Sequence, residues 1–380
     1  MNFPLFDILG QMLSESGFAA LFTTGADGFK SLAMILIAFV LLYMGIGKKF
    51  EPLLLVPIAF GMLLANLPLT GLTEGTGLLR IFYYGVEYAV YPSIIFLGIG
   101  AMTDFGPLIA RPSSLVLGAA AQLGVFAAFL GALALGFGAN IAASIGIIGG
   151  ADGPTAILVT SRLAPEYLGP ISIAAYSYMA LIPLIQPPIM KLVVPDNLAS
   201  IKMTQLREVS KTEKIVFPIA VATVVILLIP DTAPLIGMLM LGNLLKESGV
   251  TDRLSDTASN ALMNIITLPL GLAVGTKAVA EKFLTFETIS IIVLGLCAFA
   301  FSTFGGLVFG RIMCAVTKGK VNPLIGSAGV SAVPMAARVA QVEGQKRNPS
   351  NFLLMHAMGP NVAGVIGSAV AAGFLLQMFG

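Results

Sequence analysis

Tryptophan is absent from the 380 residues, histidine occurs once, at His356, and the two cysteines, Cys297 and Cys314, stand 17 positions apart with no CxxC spacing. One histidine excludes an all-histidine metal centre, and two such cysteines indicate neither a zinc site nor a disulfide framework. Without Trp, an aromatic belt at a membrane surface has to be built from Tyr, as in Tyr83, Tyr84, Tyr88 and Tyr91. Charge is scarce as well. The 21 Lys and Arg and 19 Asp and Glu make 11% of the chain, where a soluble domain carries roughly 25%. So few charges could not cover a soluble globule, and a net charge of +2 supplies no electrostatic footprint for nucleic acid. Apolar residues, by contrast, reach 57%, with 42 Gly besides. The chain reads as an all-α integral membrane protein.

An ionised side chain at mid-bilayer costs at least ~2.5 kcal/mol, so the gaps between charges approximate the crossings. Uncharged runs cover 31–47, 52–73, 88–103, 112–151, 153–161, 167–190, 215–230, 232–245, 257–276, 288–310, 321–337 and 348–380. Most approach the ~20 residues that a tilted helix needs, and 232–245 is short for one. The segment 1–30 precedes them. Its first basic residue is Lys30, behind Asp7 and Glu15, which is not the n-region of a signal peptide. Phe6, Leu9 and Leu13 recur near helical spacing against Asp7, Gln11 and Ser14, which suits a helix lying in the interface.

The chain also resembles itself. VPIAFGMLLANL from Val56 aligns with APLIGMLMLGNLL from Ala233, LGIGAMTD from Leu97 with LGLAVGTK from Leu270, and IGIIGGADGP from Ile145 with IGSAGVSAVP from Ile325. Two membrane repeats, 31–191 and 213–380, are therefore expected, joined by a linker at 192–212. That linker and its flank carry Lys202, Arg207, Lys211 and Lys214, the pattern of a cytoplasmic loop. Lys48 and Lys49 follow the first helix of repeat one, whereas Lys211 and Lys214 precede that of repeat two, so the repeats are expected to be inverted. Parity then makes 140–161 a re-entrant or broken helical hairpin entering from outside, and symmetry makes 321–338 one entering from the cytoplasm. Their tips are expected to meet near the midplane.

Between Arg111 and Arg162 the only charge is Asp152, set in Gly149, Gly150, Ala151, Asp152, Gly153, Pro154 and Thr155. Gly and Pro interrupt a helix there and free backbone carbonyls, and a carboxylate beside such carbonyls reads as a cation or proton site. Asp before an apolar run also suits a helix cap, but Asn or Ser would cap without charging the membrane interior. The matching segment runs from Asn322 through Gly326, Ser327 and Ser331 to Pro334 and Arg338, with Asn and Ser oxygens in place of a carboxylate. Small residues at this spacing also make packing surfaces, and Arg338 can end a helix at the interface or attract an anion. Tyr176 and Tyr178 lie deep in an uncharged run, where a phenol needs a partner, so one of them is expected at the site. His356 reads as a packed neutral histidine, and both cysteines as small apolar residues.

GGADGPTA, YSYMALIPLIQPPIMK from Tyr176, NPLIGSAGVSAVPMAARV from Asn322 and HAMGPNVAGVIGSAVAAG from His356 resemble the membrane beta subunit of sodium-pumping biotin-dependent decarboxylases, over nearly the whole chain. The resemblance implies a subunit of a bacterial or archaeal cytoplasmic membrane that decarboxylates carboxybiotin, consumes a proton and moves sodium outward. Specificity for oxaloacetate, methylmalonyl-CoA, glutaconyl-CoA or malonate would reside in a separate carboxyltransferase alpha subunit. The other partners implied are a biotin carrier subunit or domain, a small gamma or delta membrane subunit, lipid and further copies of the chain. The family's functional aspartate and tyrosine fall on Asp152 and Tyr178, and its second motif on Asn322, Gly326, Ser331 and Arg338. Sodium would then be held by Asp152, Asn322, Gly326 and Ser331, with Asp152, Tyr178 and Arg338 catalytic and Arg338 pairing with the carboxylate of carboxybiotin. The inverted repeats alone fit a sodium-coupled secondary transporter equally well.

Overall fold

In hydrocarbon every backbone polar group has to be satisfied within the segment, and helix is the only regular structure among the residues that the computed structural model describes, 5–380, with side chains from Gly10 onward apart from Ala180. In the first half the α-helices are α1 Leu5–Ser14, α2 Gly17–Thr23, α3 Ala26–Ile46, α4 Pro52–Asn66, α5 Leu78–Glu87, α6 Val90–Met102, α7 Gly106–Ala110, α8 Ser114–Ala121, α9 Leu123–Ala134, α10 Ala139–Gly146, α11 Gly153–Leu163 and α12 Leu168–Val193. The short α13 Asp196–Ala199 lies in the linker. The second half holds α14 Lys211–Leu228, α15 Met238–Glu247, α16 Asp252–Thr257, α17 Met263–Gly275, α18 Ala280–Phe283, α19 Phe286–Val316, α20 Met335–Arg347 and α21 Leu354–Phe379.

Five helical stretches are long and apolar enough to cross a membrane, namely Ala26–Ile46, Ser114–Ala134, Asp252–Gly275, Phe286–Val316 and Leu354–Phe379, or seven if two bent pairs each count as one. The first bent pair is α5 and α6, turned 64° about left-handed Ala89. Together with outward-facing Leu36, Phe39, Val40, Val224, Leu227 and Leu228, this makes the chain a multi-pass membrane protein. The first crossing begins at Ala26, ahead of the expected 31, and the placement of Phe6, Asp7 and Leu9 lies outside the described side chains.

The two halves interlock through the segments that resemble each other. α4 packs on α17 and α6 on α15. Asn66 Nδ2, at the end of α4, donates to Ala278 O at 2.9 Å, and Asn243 Nδ2 in α15 donates to Thr103 O at 3.0 Å. Each buried amide thus satisfies a carbonyl just past a helix of the other half, one of the orphan acceptors that helix ends leave. Glycine permits the approach at both crossings: a Cβ on Gly61 would lie 2.2 Å from Leu272 O, and one on Gly242 1.9 Å from Leu97 O.

Polar groups gather at two ends. At one, Lys214 bridges Asp104 and Glu247 at 3.6 and 3.5 Å, Arg347 reaches Asp196 at 3.2 Å, and Arg207 donates to Ile109 O at 3.3 Å and to Glu213. The Arg207 guanidinium and the Ser210 N–H and hydroxyl, all donating to it, hold the Glu213 carboxyl down at about 2. At the other end Arg162, Pro230, Asp231, Leu376 and Gly380 line one cavity. α14 runs from the first group to the second, with Lys214 in its first turn and Pro230 just past its end.

Candidate functional site

Between those ends the chain breaks twice. α10 tightens into a 3-10 turn over Ile147–Gly150, Ala151 takes left-handed angles (φ 55, ψ 44), and extended Asp152 caps α11. A non-Gly residue in that region costs roughly 1–2 kcal/mol, so packing has to hold the break. Glycine allows it: a Cβ on Gly149 would lie 2.7 Å from the Gly124 carbonyl carbon. Ser302 Oγ, from α19, takes the freed Gly149 carbonyl at 2.6 Å.

The second break follows a 3-10 turn, Pro323–Gly329, capped by Asn322, whose Oδ1 accepts from Leu324 N at 2.9 Å. Beyond it the chain runs without regular structure to Pro334, and Asn361 of α21 donates through Nδ2 to Ala328 O and Val330 O at 3.0 and 2.7 Å. The two breaks touch. Ser331 Oγ and Ser331 N both donate to Gly150 O, at 2.9 and 3.1 Å.

Asp152 is 5% exposed. Its Oδ1 accepts from Thr155 N at 3.2 Å, the N-cap bond expected of Asp there, and its Oδ2 accepts from Ser368 Oγ at 2.9 Å. Two donors leave lone pairs unused, since an ionised carboxylate offers about four acceptor positions. The carboxylate faces a chamber of about 340 Å³ whose lining includes Glu51, Thr103, Tyr176, Ser331 and Pro334. The Tyr176 ring lies on Gly153, where a Cβ would come within 2.1 Å of it, and its Oη is buried without a partner among the described residues.

Of the residues expected at the site, Asp152, Ser331 and one of the two tyrosines line this chamber, whereas Asn322, Gly326, Arg338 and the other tyrosine do not. Tyr178 donates its Oη to Ile292 O on α19, and of the two tyrosines it is Tyr176 that lines the chamber. Asn322 is tied to the linker, donating through Nδ2 to Ala199 O at 2.7 Å and Ile201 O at 2.9 Å. Gly326 packs on α19, where a Cβ would lie 2.0 Å from Gly306 O. Arg338 is exposed and lines a separate cavity of about 300 Å³ with Pro183, Pro187 and Glu343. Ser368, Asn361, Ser302 and Glu51 were not singled out, and the first three carry only one weak signal, a polar residue inside an apolar helix.

The donor set suits a small hard cation. Carboxylate, hydroxyl and amide oxygens take such ions, and no soft ligand lines the chamber apart from methionine thioethers. Around the breaks Gln122 Oε1, Asn361 Oδ1 and Thr155 Oγ1 are buried with no partner among the described residues.

The model of the Na+-transporting oxaloacetate decarboxylase beta subunit family matches residues 30–379. The chain is 60% identical to the methylmalonyl-CoA decarboxylase subunit beta of Veillonella parvula over 367 residues, covering 97% of this chain and 96% of the relative. It is 58% identical to the glutaconyl-CoA decarboxylase subunit beta of Acidaminococcus fermentans, with 98% of each covered. It is 50% identical to the oxaloacetate decarboxylase beta chain of Klebsiella pneumoniae, covering 90% of this chain and 94% of that one.

Proposed function

The chain belongs to the family of Na+-transporting oxaloacetate decarboxylase beta subunits, and from that premise we propose that it decarboxylates carboxybiotin and couples this step to outward sodium transport through Asp152. The observation that carries the reading is a buried carboxylate at a helix break, hydrogen-bonded to the facing half by Ser368 and opening on a chamber shared with Ser331. Carboxybiotin, brought by a carrier subunit or domain after a carboxyltransferase alpha subunit has loaded it, supplies a carboxyl group whose loss as carbon dioxide leaves a nitrogen needing a proton. A small gamma or delta membrane subunit and further copies of this chain complete the proposed complex in a bacterial or archaeal cytoplasmic membrane.

Within the chain, Asp152 holds sodium or a proton, and the two compete for one carboxylate. Ser331, whose hydroxyl and amide both reach Gly150 O, ties the facing break to the Asp152 loop, so loading of one side is transmitted to the other. Asn322 and Gly326 act by seating the second break, against the linker and against α19. Tyr178 anchors α12 to α19 beside the site, and Arg338 meets the carboxylate of the arriving arm from the neighbouring cavity. The reciprocal Asn66 and Asn243 bonds support the reading of 31–191 and 213–380 as inverted repeats joined by 192–212, and 1–30 as an interfacial segment leading into the first crossing.

The secondary-transporter reading is set aside, because the relatives are beta subunits of decarboxylases. Purified complex supplied with free carboxybiotin provides the test. Carbon dioxide release that rises with sodium is expected, and release indifferent to sodium would refute the coupling.

A further inference from the structure

Besides Asp152, one other carboxylate lines the chamber. Glu51 sits in the turn between α3 and α4 in left-handed backbone (φ 37, ψ 57), a conformation held by its surroundings at a cost of about 1–3 kcal/mol and concentrated at functional positions. It stands at the N-terminus of α4 yet caps nothing, since its side chain accepts no backbone N–H of the first turn. It also has no cation within ion-pair reach among the described residues. Lys48, three positions before it, lies over the ring of Tyr43 instead, 5.9 Å from its centroid.

A second, independent feature points to the same space. Tyr176 is 0% exposed, and its Oη has no hydrogen-bond partner among the described residues while its ring lines the chamber. A buried hydroxyl left unmatched costs about 1–3 kcal/mol, so the Tyr176 oxygen favours a polar ligand in the chamber. Glu51 is half-buried, whereas Asp152 is 5% exposed.

We infer that the Glu51 carboxylate and Tyr176 Oη form a cation station at the solvent end of the chamber, which takes up sodium and hands it to Asp152. The class of ligand follows from the donors: a small, hard, monovalent cation takes a carboxylate and a phenol oxygen and leaves its remaining positions to water. A negative mouth on a low-dielectric chamber also concentrates cations ahead of the inner site. The station rests on the reading of Asp152 as the inner sodium site, and the experiment separates the two.

Thermal unfolding of the purified complex against sodium chloride, at ionic strength fixed with choline chloride, reads cation binding without turnover, because a ligand bound only by the folded state raises the melting temperature. The sodium concentration for half-maximal stabilisation is expected to rise roughly three- to tenfold in Glu51→Gln and roughly two- to threefold in Tyr176→Phe. Glu51→Asp, which keeps the charge, is expected to restore most of the loss. Tyr176→Phe keeps the ring on Gly153 and so preserves the packing. Wild-type sodium dependence in both Glu51→Gln and Tyr176→Phe overturns the station and leaves Asp152 standing. Wild-type dependence in Asp152→Asn overturns the inner site and the station with it.

Discussion

Replacing Asp152 with Asn removes one charge and almost nothing else. Asn caps helices about as well as Asp, so the bond from Thr155 N to Oδ1, 3.2 Å in the wild type, is retained. The other oxygen becomes an amide N–H₂ facing Ser368 Oγ, which can no longer donate there. Ser368 has a second acceptor already in range, Val365 O at 3.1 Å, and its hydroxyl can accept from the new amide. The structural cost is therefore one rearranged hydrogen bond, about 1 kcal/mol or less. The functional cost is of another size. A sodium ion ~2.4 Å from a carboxylate oxygen gains on the order of 7 kcal/mol at an effective dielectric of about 20. If hydration and the amide oxygen recover two thirds of that, the remaining ~2 kcal/mol still weakens binding more than tenfold. Asp152→Asn should thus fold, insert and melt near the wild-type temperature in the absence of sodium while losing sodium-dependent stabilisation and sodium-dependent carbon dioxide release. Differential scanning fluorimetry on the purified complex and a carbon dioxide assay across a sodium series measure both. Normal turnover with an unchanged sodium half-saturation would refute the assignment.

Gly242→Ala should be severe, because its Cβ would sit 1.9 Å from a backbone oxygen that no rotamer change can move; overpacking of this kind costs ~1–3 kcal/mol or more, read as a lowered melting temperature. Gly131→Ala is the contrast, since its Cβ meets only a flexible Leu294 methyl at 3.2 Å, and it should be nearly neutral. With the folded-state value of Glu213 near 2 and the unfolded one near 4.5, the Arg207 clasp contributes fully above about pH 4.5 and is lost as the pH falls toward 2. Exchange of the Ser210 amide, which donates to Glu213 at 2.9 Å, corrected for its intrinsic rate, should lose protection in that window and at no higher pH. Single cysteines at Arg162→Cys and Lys202→Cys, in a chain with Cys297 and Cys314 replaced, should label from opposite membrane faces. Labelling from one face would sink the re-entrant arrangement.

How much could be read from the chain alone differs between crossings and breaks. The crossings were legible because the cost of burying charge is large and local: α3, α19 and α21 fall largely on the uncharged runs 31–47, 288–310 and 348–380. Within the run 112–151, only parity set the hairpin from 140 onward apart from a crossing before it. The run holds a crossing, Ser114–Ala134, followed by a separate helix, Ala139–Gly146, and what divides them is Gly136 at φ 89, a feature that 42 glycines do not advertise individually. Asp152 was legible because a lone charge in fifty residues demands a partner. That partner, Ser368, lies 216 positions away, and a single serine among small residues reads equally well as packing surface.

The two tyrosines show why a site residue can be narrowed by sequence and still not chosen. Tyr176 and Tyr178 are two positions apart on α12, and at 3.6 residues per turn their side chains diverge by about 200°. One of them is bound to face away from Asp152 whenever the other faces it. Position in the run says that both are deep, and depth says that both need partners, but nothing along the chain states the rotation of α12. Packing supplies that rotation. Gly153, at the start of α11, leaves a gap that the Tyr176 ring fills, and the same turn of the helix directs Tyr178 to the Ile292 carbonyl on α19. The functional tyrosine suggested by resemblance and the phenol lining the chamber are thus on opposite faces of one helix, so their roles are separable. Tyr178→Phe removes a tie between α12 and α19, whereas Tyr176→Phe removes an oxygen from a residue lining the Asp152 chamber. Comparison of the two sodium half-saturations, with the melting temperature recorded without sodium for each, distinguishes a loosened scaffold from a lost ligand. A shift in sodium dependence confined to Tyr178→Phe would mean that the Asp152 chamber, as drawn by its lining, is not the route the ion takes.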